Sequence, residues 1–531
     1  MAGHVPLPGS DRPRAAGSER ARDADQDERI DVTVTVAAGT GEQAAAGAIA
    51  TVTAALEQLG LTVDSSSPLT RSLIASGTVA QMEAAFKPGL AVYSNESQGE
   101  FRAREGHLQI PAELEGLVTG VFGLDERRVA RRRQGATPAR DPARDPAAAA
   151  RPLTQPVTPA QLAAHYDFPP GDGAGRTVAI AEFGGGYFAG DLEAFCARQG
   201  TPVPSVTPVG VNGTPVLTLS QIERLPSQQQ QEQLDDSVEV NMDIQIVAGL
   251  APGADQVVYF SSFDEQGWVD LLNQVIHDHQ SAAVVTLSVS WGLAEDDPDW
   301  SGAALEAIDE RLAIAAGAGI TVCVAAGDDG SADQENDGRA HVDFPASSPH
   351  ALAVGGTMLS GDTDVVWWES PGERSGGGGA TGGGVSVVFP RPSWQDVSIA
   401  SLNPGAIDGR VIPDVAALAG PPLYDLIFLG REQANGGTSA ATPVWAALLA
   451  VMASGARTPW KPAFLAPLLY AIGPGGEPSG KAVGAMGCTD VTTGNNTSST
   501  LGRGYQAGLG FDAVSGWGVP NGVALLAALT G

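Results

Sequence analysis

Residues 435–450 read NGGTSAATPVWAALLA. Gly436 and Gly437 loosen the backbone ahead of Thr438 and Ser439, and the apolar run that follows is long enough for roughly three helical turns. The stretch delivers a hydroxyl to the start of a buried helix, where backbone N–H groups lack helical acceptors and the helix dipole is positive. Serine at such a place is a common helix cap. It is also the placement a nucleophile needs, and a nucleophile needs a base.

The surroundings alternate strand with helix. RTVAIAEF (176–183), QVVYFSS (256–262), AAVVTLSVSWG (282–292) and ITVCVAAGDDG (320–330) are near-continuous apolar runs, separated by helical stretches such as WVDLLNQVIHD and LEAIDERLAIAAGAG. Strands apolar on both faces predict an α/β fold with a parallel sheet covered by helices on both sides. Sites on such sheets gather at the carboxyl ends of the strands, where SWG and AGDDG fall.

A chain of 531 residues exceeds one typical core, and the sequence divides accordingly. Residues 1–29 are polar and Arg/Asp-rich, and predict a disordered tail. From IDVTVTV (30–36) through PAELEGLVTGVFGL, short strands and Ala-rich helices predict a small α/β unit over 30–130. Residues 131–155 are rich in Arg, Ala and Pro without apolar period, as expected of an exposed linker that is easily nicked. The large parallel-sheet domain follows over 156–531.

Charge is uneven. Residues 1–150 hold 16 basic and 20 acidic residues and the remainder 14 and 41, so the C-terminal part carries −27 of the −31. So acidic a surface repels nucleic acid and gains few positive charges when its carboxylates protonate, which suits work in acid. No window of 18 apolar residues occurs, and the richest run, Val444 to Ala453, is too short to cross a bilayer, so no membrane association is expected. Cys196, Cys323 and Cys488 allow at most one internal disulfide and match no metal or redox spacing. The first residues lack the apolar core of a signal peptide.

Seven histidines are present, His4, His107, His165, His277, His279, His341 and His350, and none stands in an HGTH-like helix start. In that place the chain reads DDSVEVNMDIQIVAGLAPGA, where Glu239 and Asp243 are four apart and share one helix face. The ordered set of Glu239-x-x-x-Asp243, SVSWG, AAGDDG, HVDFPASSP, GGVSVVFPRPSWQ, GGTSAATP and GLGFD resembles the sedolisins, or serine-carboxyl peptidases, most of all their kumamolisin-like branch. The resemblance covers about residues 30–531 and implies a subtilisin-like catalytic domain behind a ferredoxin-like prodomain. It implies Ser439 as nucleophile, Glu239 as general base, Asp243 as the carboxylate that orients it, and Asp328 as oxyanion donor. Glu182 and Trp291 match positions that extend the hydrogen-bond network, and Asp343 is expected to line a subsite for a basic side chain. A Ca2+ site is implied with side-chain ligands Asp490 and Asp512 and carbonyl ligands Val491, Gly508 and Gly510.

The chemistry is coherent with acid. A carboxylate base has an ordinary pKa near ~4.3, and two close carboxylates titrate as a coupled pair with one value raised. The expectation is therefore an acid-active endopeptidase, made as a zymogen that cuts itself in the linker, with its mature start near residue 150. Its partners are protein and peptide substrates and, before processing, its own prodomain as inhibitor. It is expected to be a secreted, extracellular monomer after maturation. A neutral subtilisin-like enzyme would need a histidine beside Ser439, and an inactive binding module would keep the fold without a live serine.

Overall fold

The computed structural model describes residues 3–37, 39, 41–132, 155–455, 461–470 and 482–530. The expected processing linker lies outside the described residues except at Arg131, Arg132 and Gln155.

The N-terminal unit is built on β1 (Arg29–Val36), α1 (Glu42–Gln58), β2 (Thr62–Ser67), β3 (Ser72–Thr78), α2 (Val79–Phe86) and β4 (Val118–Phe122). The antiparallel sheet order β2-β3-β1-β4 with two helices is the ferredoxin-like topology. Ala45, Ile49, Val52 and Leu56 recur at helical spacing and are the buried face of α1. Thr78 and Gln81 form a reciprocal capping box at the start of α2. The polar N-terminus, expected to be disordered, is instead part of this unit. Its strand His4–Pro6 pairs with Gln109–Pro111, and Glu19–Asp23 pairs with Ala91–Asn95. Leu7, Ser10 and Arg12 are buried. Three of its arginines pair with residues beyond it, Arg12 with Asp125 and Glu265, Arg14 with Glu105 and Arg22 with Glu100.

The alternation of β1 has two destinations. Ile30, Val32, Val34 and Val36 enter the core of the N-terminal unit, while Thr33 donates to Asp270 Oδ1 of the large domain at 2.7 Å. Arg127 binds Asp125 through two nitrogens, each at 3.0 Å, and reaches Asp299 of the large domain at 3.2 Å. Arg311 Nη2 donates to Thr70 O at 3.0 Å, and the Arg128 guanidinium lies 4.5 Å from the Phe263 ring centroid. The unit ends in a two-residue strand, β5 (Arg131–Arg132), which pairs antiparallel with the large domain: Arg131 opposite Gly292 and Arg132 opposite Trp291.

The large domain carries β6 (Thr177–Phe183), β7 (Val206–Gly210), α3 (Ser227–Leu250), β8 (Asp255–Ser261), α4 (Glu265–Ala282), β9 (Val284–Val289), β10 (Trp291–Ala294), β11 (Thr321–Ala325), β12 (Asp343–Phe344), β13 (Leu352–Ser360), β14 (Val415–Leu418) and α5 (Thr438–Ser454). Seven strands of its main sheet run parallel in the order β7-β8-β6-β9-β11-β13-β14, and an eighth, Thr363–Val366, pairs antiparallel with β13. Every residue of β6, β9, β11 and β14 is buried, as apolar strands covered on both sides require. Helix α5 is buried along nearly its whole length, and α3 is buried from Asp236 onward apart from Val238 and Gly249 while its Gln-rich start faces solvent.

Replacing Arg127 by Ala would leave Asp125 buried without its bidentate partner. The expected loss is about 3–5 kcal/mol, the usual result of breaking a buried pair by removing one ion. Chemical unfolding of Arg127→Ala against the parent protein measures it, and a change below about 1 kcal/mol would show the pair to be dispensable.

Candidate active site

The turn at 436–439 is set by local sterics. Gly437 has φ 99°, a left-handed conformation that a side chain would strain, and a Cβ on Gly436 would meet Ala419 O at 2.3 Å. Helix α5 then begins with Thr438 and Ser439. Pro443, four residues beyond Ser439, has no N–H, so the Ser439 carbonyl lacks its helical donor. The Ser290 hydroxyl stands 3.3 Å from that carbonyl and 2.7 Å from Asp243 Oδ2. With one proton to give, it serves the shorter contact. Ser439 Oγ in turn donates to Ser290 O at 3.3 Å. Ser290, which sequence reasoning passed over inside SVSWG, thus joins the helix that carries Asp243 to the helix that carries Ser439. Its position at the end of a buried strand was the available signal.

Glu239 and Asp243 lie one turn apart on the buried half of α3, and both are fully buried. Glu182, at the carboxyl end of β6, is buried beside them and accepts from Trp291 Nε1 at 3.0 Å. Burial, and then the charges of Asp243 and Glu239, push the Glu182 carboxyl well above its usual range. Burial raises Asp243 to about 8, opposed by its hydrogen bond from Ser290. Asp328 follows Gly327 at the end of β11; its Oδ1 accepts from Thr438 N at 2.8 Å and Thr438 Oγ1 at 2.7 Å. Burial lifts its pKa to about 6, against the opposing pull of Arg374 and of the Thr438 donors. Its Oδ2 is buried with no hydrogen-bond partner among the described residues.

The structure therefore brings Ser439, Glu239, Asp243, Asp328, Glu182 and Trp291 to the carboxyl ends of neighbouring strands and the helices beside them. Asp343 is buried under Gly292 of β10, close to this group. Histidines are engaged elsewhere: His165 with Asp364, His341 with Asp296 and Asp337, His350 with Asp309.

The remaining predicted residues form a separate loop cluster near the C-terminus. Asp490 Oδ2 accepts from Gly510 N at 2.8 Å, and Asp512 Oδ2 from Gly508 N at 2.9 Å. The Ser515 hydroxyl reaches both Asp512 Oδ1, at 3.0 Å, and Val491 O, at 3.3 Å. These bonds gather Asp490, Val491, Gly508, Gly510 and Asp512, an all-oxygen donor set of two carboxylates and three carbonyls that fits a hard cation. Among the described residues no group of three or more His, Cys, Asp or Glu is arranged for a metal.

Known proteins agree with this architecture. Residues 231–471 match the subtilase family model, and residues 43–127 match the activation domain of pro-kumamolisin. Kumamolisin from a Bacillus species (strain MN-32) is 37% identical over 491 residues, covering 89% of this chain and 81% of its own. The chain belongs to the sedolisin family of serine peptidases. Sedolisin from Pseudomonas sp. (strain 101) is 30% identical, covering 84% of this chain and 72% of its own. The solved structure of Pseudomonas sedolisin, complexed with two molecules of pseudo-iodotyrostatin, superposes with a TM-score of 0.58 at 28% identity, covering 71% of this chain and 98% of that one. Among the described residues no helix is long and apolar enough to cross a membrane.

Burial sets a pH dependence of stability. Besides Asp243 and Asp328, it raises Glu295 and Asp270 to about 7 and Asp264 to about 6, from ordinary values of 3.8 for Asp and 4.5 for Glu. A raised folded-state pKa stabilises fully below the unfolded value, and that stabilisation is lost as pH climbs through the folded value. Asp125 and Asp329, held low against their burial by arginines, limit stability at the acid end. The melting temperature of the Ser439→Ala chain should therefore fall steadily from about pH 5 to about pH 8. A maximum at pH 8 would contradict it.

Proposed function

We propose that this peptidase is an acid-active serine-carboxyl endopeptidase, made as a self-processing zymogen and acting outside the cell. The observation that carries the reading is the placement of a hydroxyl and buried carboxyl groups: Ser439 and Asp243 joined through Ser290, with Glu239 one helical turn from Asp243. In this reading Ser439 Oγ attacks the scissile carbonyl, and Glu239 receives its proton. Asp243 shares a proton with Glu239 and keeps it oriented, while Glu182 and Trp291 extend the network behind them.

Asp328 donates a hydrogen bond to the developing oxyanion. A carboxyl can do so only while protonated, and ionised it repels the negative oxygen. With its pKa raised to about 6, Asp328 carries a proton in acid and loses it toward neutrality. Two donors from Thr438 occupy Oδ1, which leaves Oδ2 to hold that proton. Breakdown of the tetrahedral intermediate returns the proton from Glu239 to the leaving amine, and water repeats the sequence to free Ser439.

Self-processing is supported by β5, where the chain leaves the prodomain already paired with the edge of β10. The prodomain in this reading blocks the cleft until the linker is cut. On acidification the full chain should shorten by about 150 residues, the linker being the easiest place to cut, and Ser439→Ala should stay full length. Mass spectrometry over time reads both. Equal maturation of the purified serine variant would assign the cutting to another protease and remove the self-processing claim.

Calcium is proposed for the loop of Asp490 and Asp512, where it would fix the loop through charge and carbonyl dipoles. A ligand that binds only the folded state stabilises it by mass action. Chelation near neutral pH should lower the melting temperature of the Ser439→Ala chain by a few degrees, on the order expected for a large domain. It should leave a chain carrying Asp512→Ala in addition unmoved. An unchanged curve in both would exclude a bound cation.

A further inference from the structure

Asp329, the residue after Asp328, is buried as well, and its carboxylate is held mainly by one partner. Arg374 N donates to Asp329 Oδ1 at 2.8 Å, Arg374 Nε to Oδ2 at 2.8 Å, and Arg374 Nη2 lies 2.7 Å from Oδ2. Gln334 Nε2 donates to Oδ2 at 2.8 Å. Burial alone would raise the Asp329 carboxyl, and Arg374 beside it brings it below its usual range instead.

Arg374 is itself pinned. It opens the short 3-10 turn Arg374–Gly376, between Gly372 at φ 82° and Gly377 at φ 85°. Glu373 accepts from Ser499 Oγ at 3.0 Å and from Thr500 N at 2.6 Å, and Trp368 Nε1 donates to Thr497 O at 2.8 Å. The segment after the turn then returns to the reacting group: Ala380 N donates to Asp328 O at 3.0 Å and Gly382 N to Gly327 O at 2.7 Å. One stretch of chain thus grips Asp328 by its backbone and Asp329 by its side chain.

The charged groups around Asp328 come from four directions. Asp329 and Asp333 belong to its own turn, and Asp343 lies on the far side of Gly327. Arg374 and Glu373 come from the 3-10 turn, and Glu369, before it, accepts from Trp367 Nε1 at 3.1 Å. Helix α5 supplies only the neutral donors of Thr438. Arg339 and His341, on the segment that carries Asp343, are turned to Asp296 and Asp337. Of the groups turned toward Asp328, Arg374 alone carries positive charge.

We propose that Arg374 is a positioning residue for the oxyanion donor: through Asp329 it fixes the turn that presents Asp328, and its charge sets the pH at which Asp328 ceases to donate. This assignment rests on the peptidase reading above and names what governs the alkaline limit of that site. A neighbouring cation favours the ionised form of a carboxyl, and a neighbouring anion favours the protonated form. Burial raises Asp328 to about 6, and Arg374 is the largest influence opposing it, while Asp329 acts the other way. Neutralising the two members of the pair therefore moves the loss of activity in opposite directions. A pair that only braced the turn would lower the rate at every pH when either member is lost.

The test is kcat/KM on one peptide from about pH 3 to about pH 8, which reports the groups of the free enzyme. The prodomain is removed by trypsin in the Arg-rich linker, and trypsin is then inhibited. Arg374→Gln should move the midpoint of the alkaline limb up by about one pH unit, and Asp329→Asn should move it down by about half a unit. Arg374→Lys loses the fork but keeps the charge, and should stay within about 0.3 unit of wild type. In an Asp328→Asn background, Arg374→Gln should no longer move the limb. An unmoved midpoint in Arg374→Gln, or shifts of the same sign in Arg374→Gln and Asp329→Asn, overturns the role of the charge. If Arg374→Gln does not fold, Asp329→Asn decides: a downward shift supports the assignment and any other result overturns it. An equal shift in the Asp328→Asn background shows that Arg374 does not act through Asp328, which overturns the assignment while leaving a peptidase. Cleavage at no pH by wild type overturns the peptidase reading itself.

Discussion

Glu182, Glu239 and Asp243 carry three carboxyl groups into one fully buried part of the core. Like charges in a space from which water is excluded cannot all ionise, so protons are part of this structure as much as side chains are. Much of the arrangement follows from keeping them placed. Trp291 gives Glu182 an indole donor, and Ser290 gives Asp243 a hydroxyl. Pro443, by withholding an N–H, leaves the carbonyl of Ser439 facing Ser290. Each of these groups is neutral, and none would compensate a full negative charge. The cluster is thereby built to hold protons rather than to compensate negative charge.

The same logic extends to the seam between the two domains. Asp264 and Asp270 are buried there, with Thr33, Asn212 and the backbone of Gly267 as donors, and burial raises both. Around them run arginines: Arg12 between Asp125 and Glu265, Arg127 between Asp125 and Asp299, Arg71 on Glu310. Strand β1 is consequently buried on both faces from Val32 to Val36, one by the helices of its own unit and one by α4 and its neighbours. That is why Thr33 and Thr35, polar in the alternation of β1, are as inaccessible as the valines between them.

How far the sequence reached depended on the kind of signal. Near-continuous apolar runs located the central strands, because a strand buried on both faces has no other way to be written. The spacing of Glu239 and Asp243 located the acid pair, since four residues on a helix are one turn. The first 29 residues misled, because composition does not reveal partners distant in sequence. Arg12 looks solvated until Asp125 and Glu265 are folded against it. Ser290 escaped notice for a related reason. Its importance comes from the missing N–H of Pro443 and the carboxylate of Asp243, residues 153 and 47 positions away that only the tertiary fold brings to one point.

The pairing of β5 with β10 has a bearing on what such a cleft can hold. A strand edge recognises the main chain of whatever lies along it, through N–H and C=O groups that every protein possesses. In a folded globule those groups are already spent on helices and sheets. A segment can join this edge only where its own backbone partners have been given up, in a loop, a frayed terminus or a chain opened by acid. The conformational state of a segment, rather than its composition, is thus the first filter at this edge.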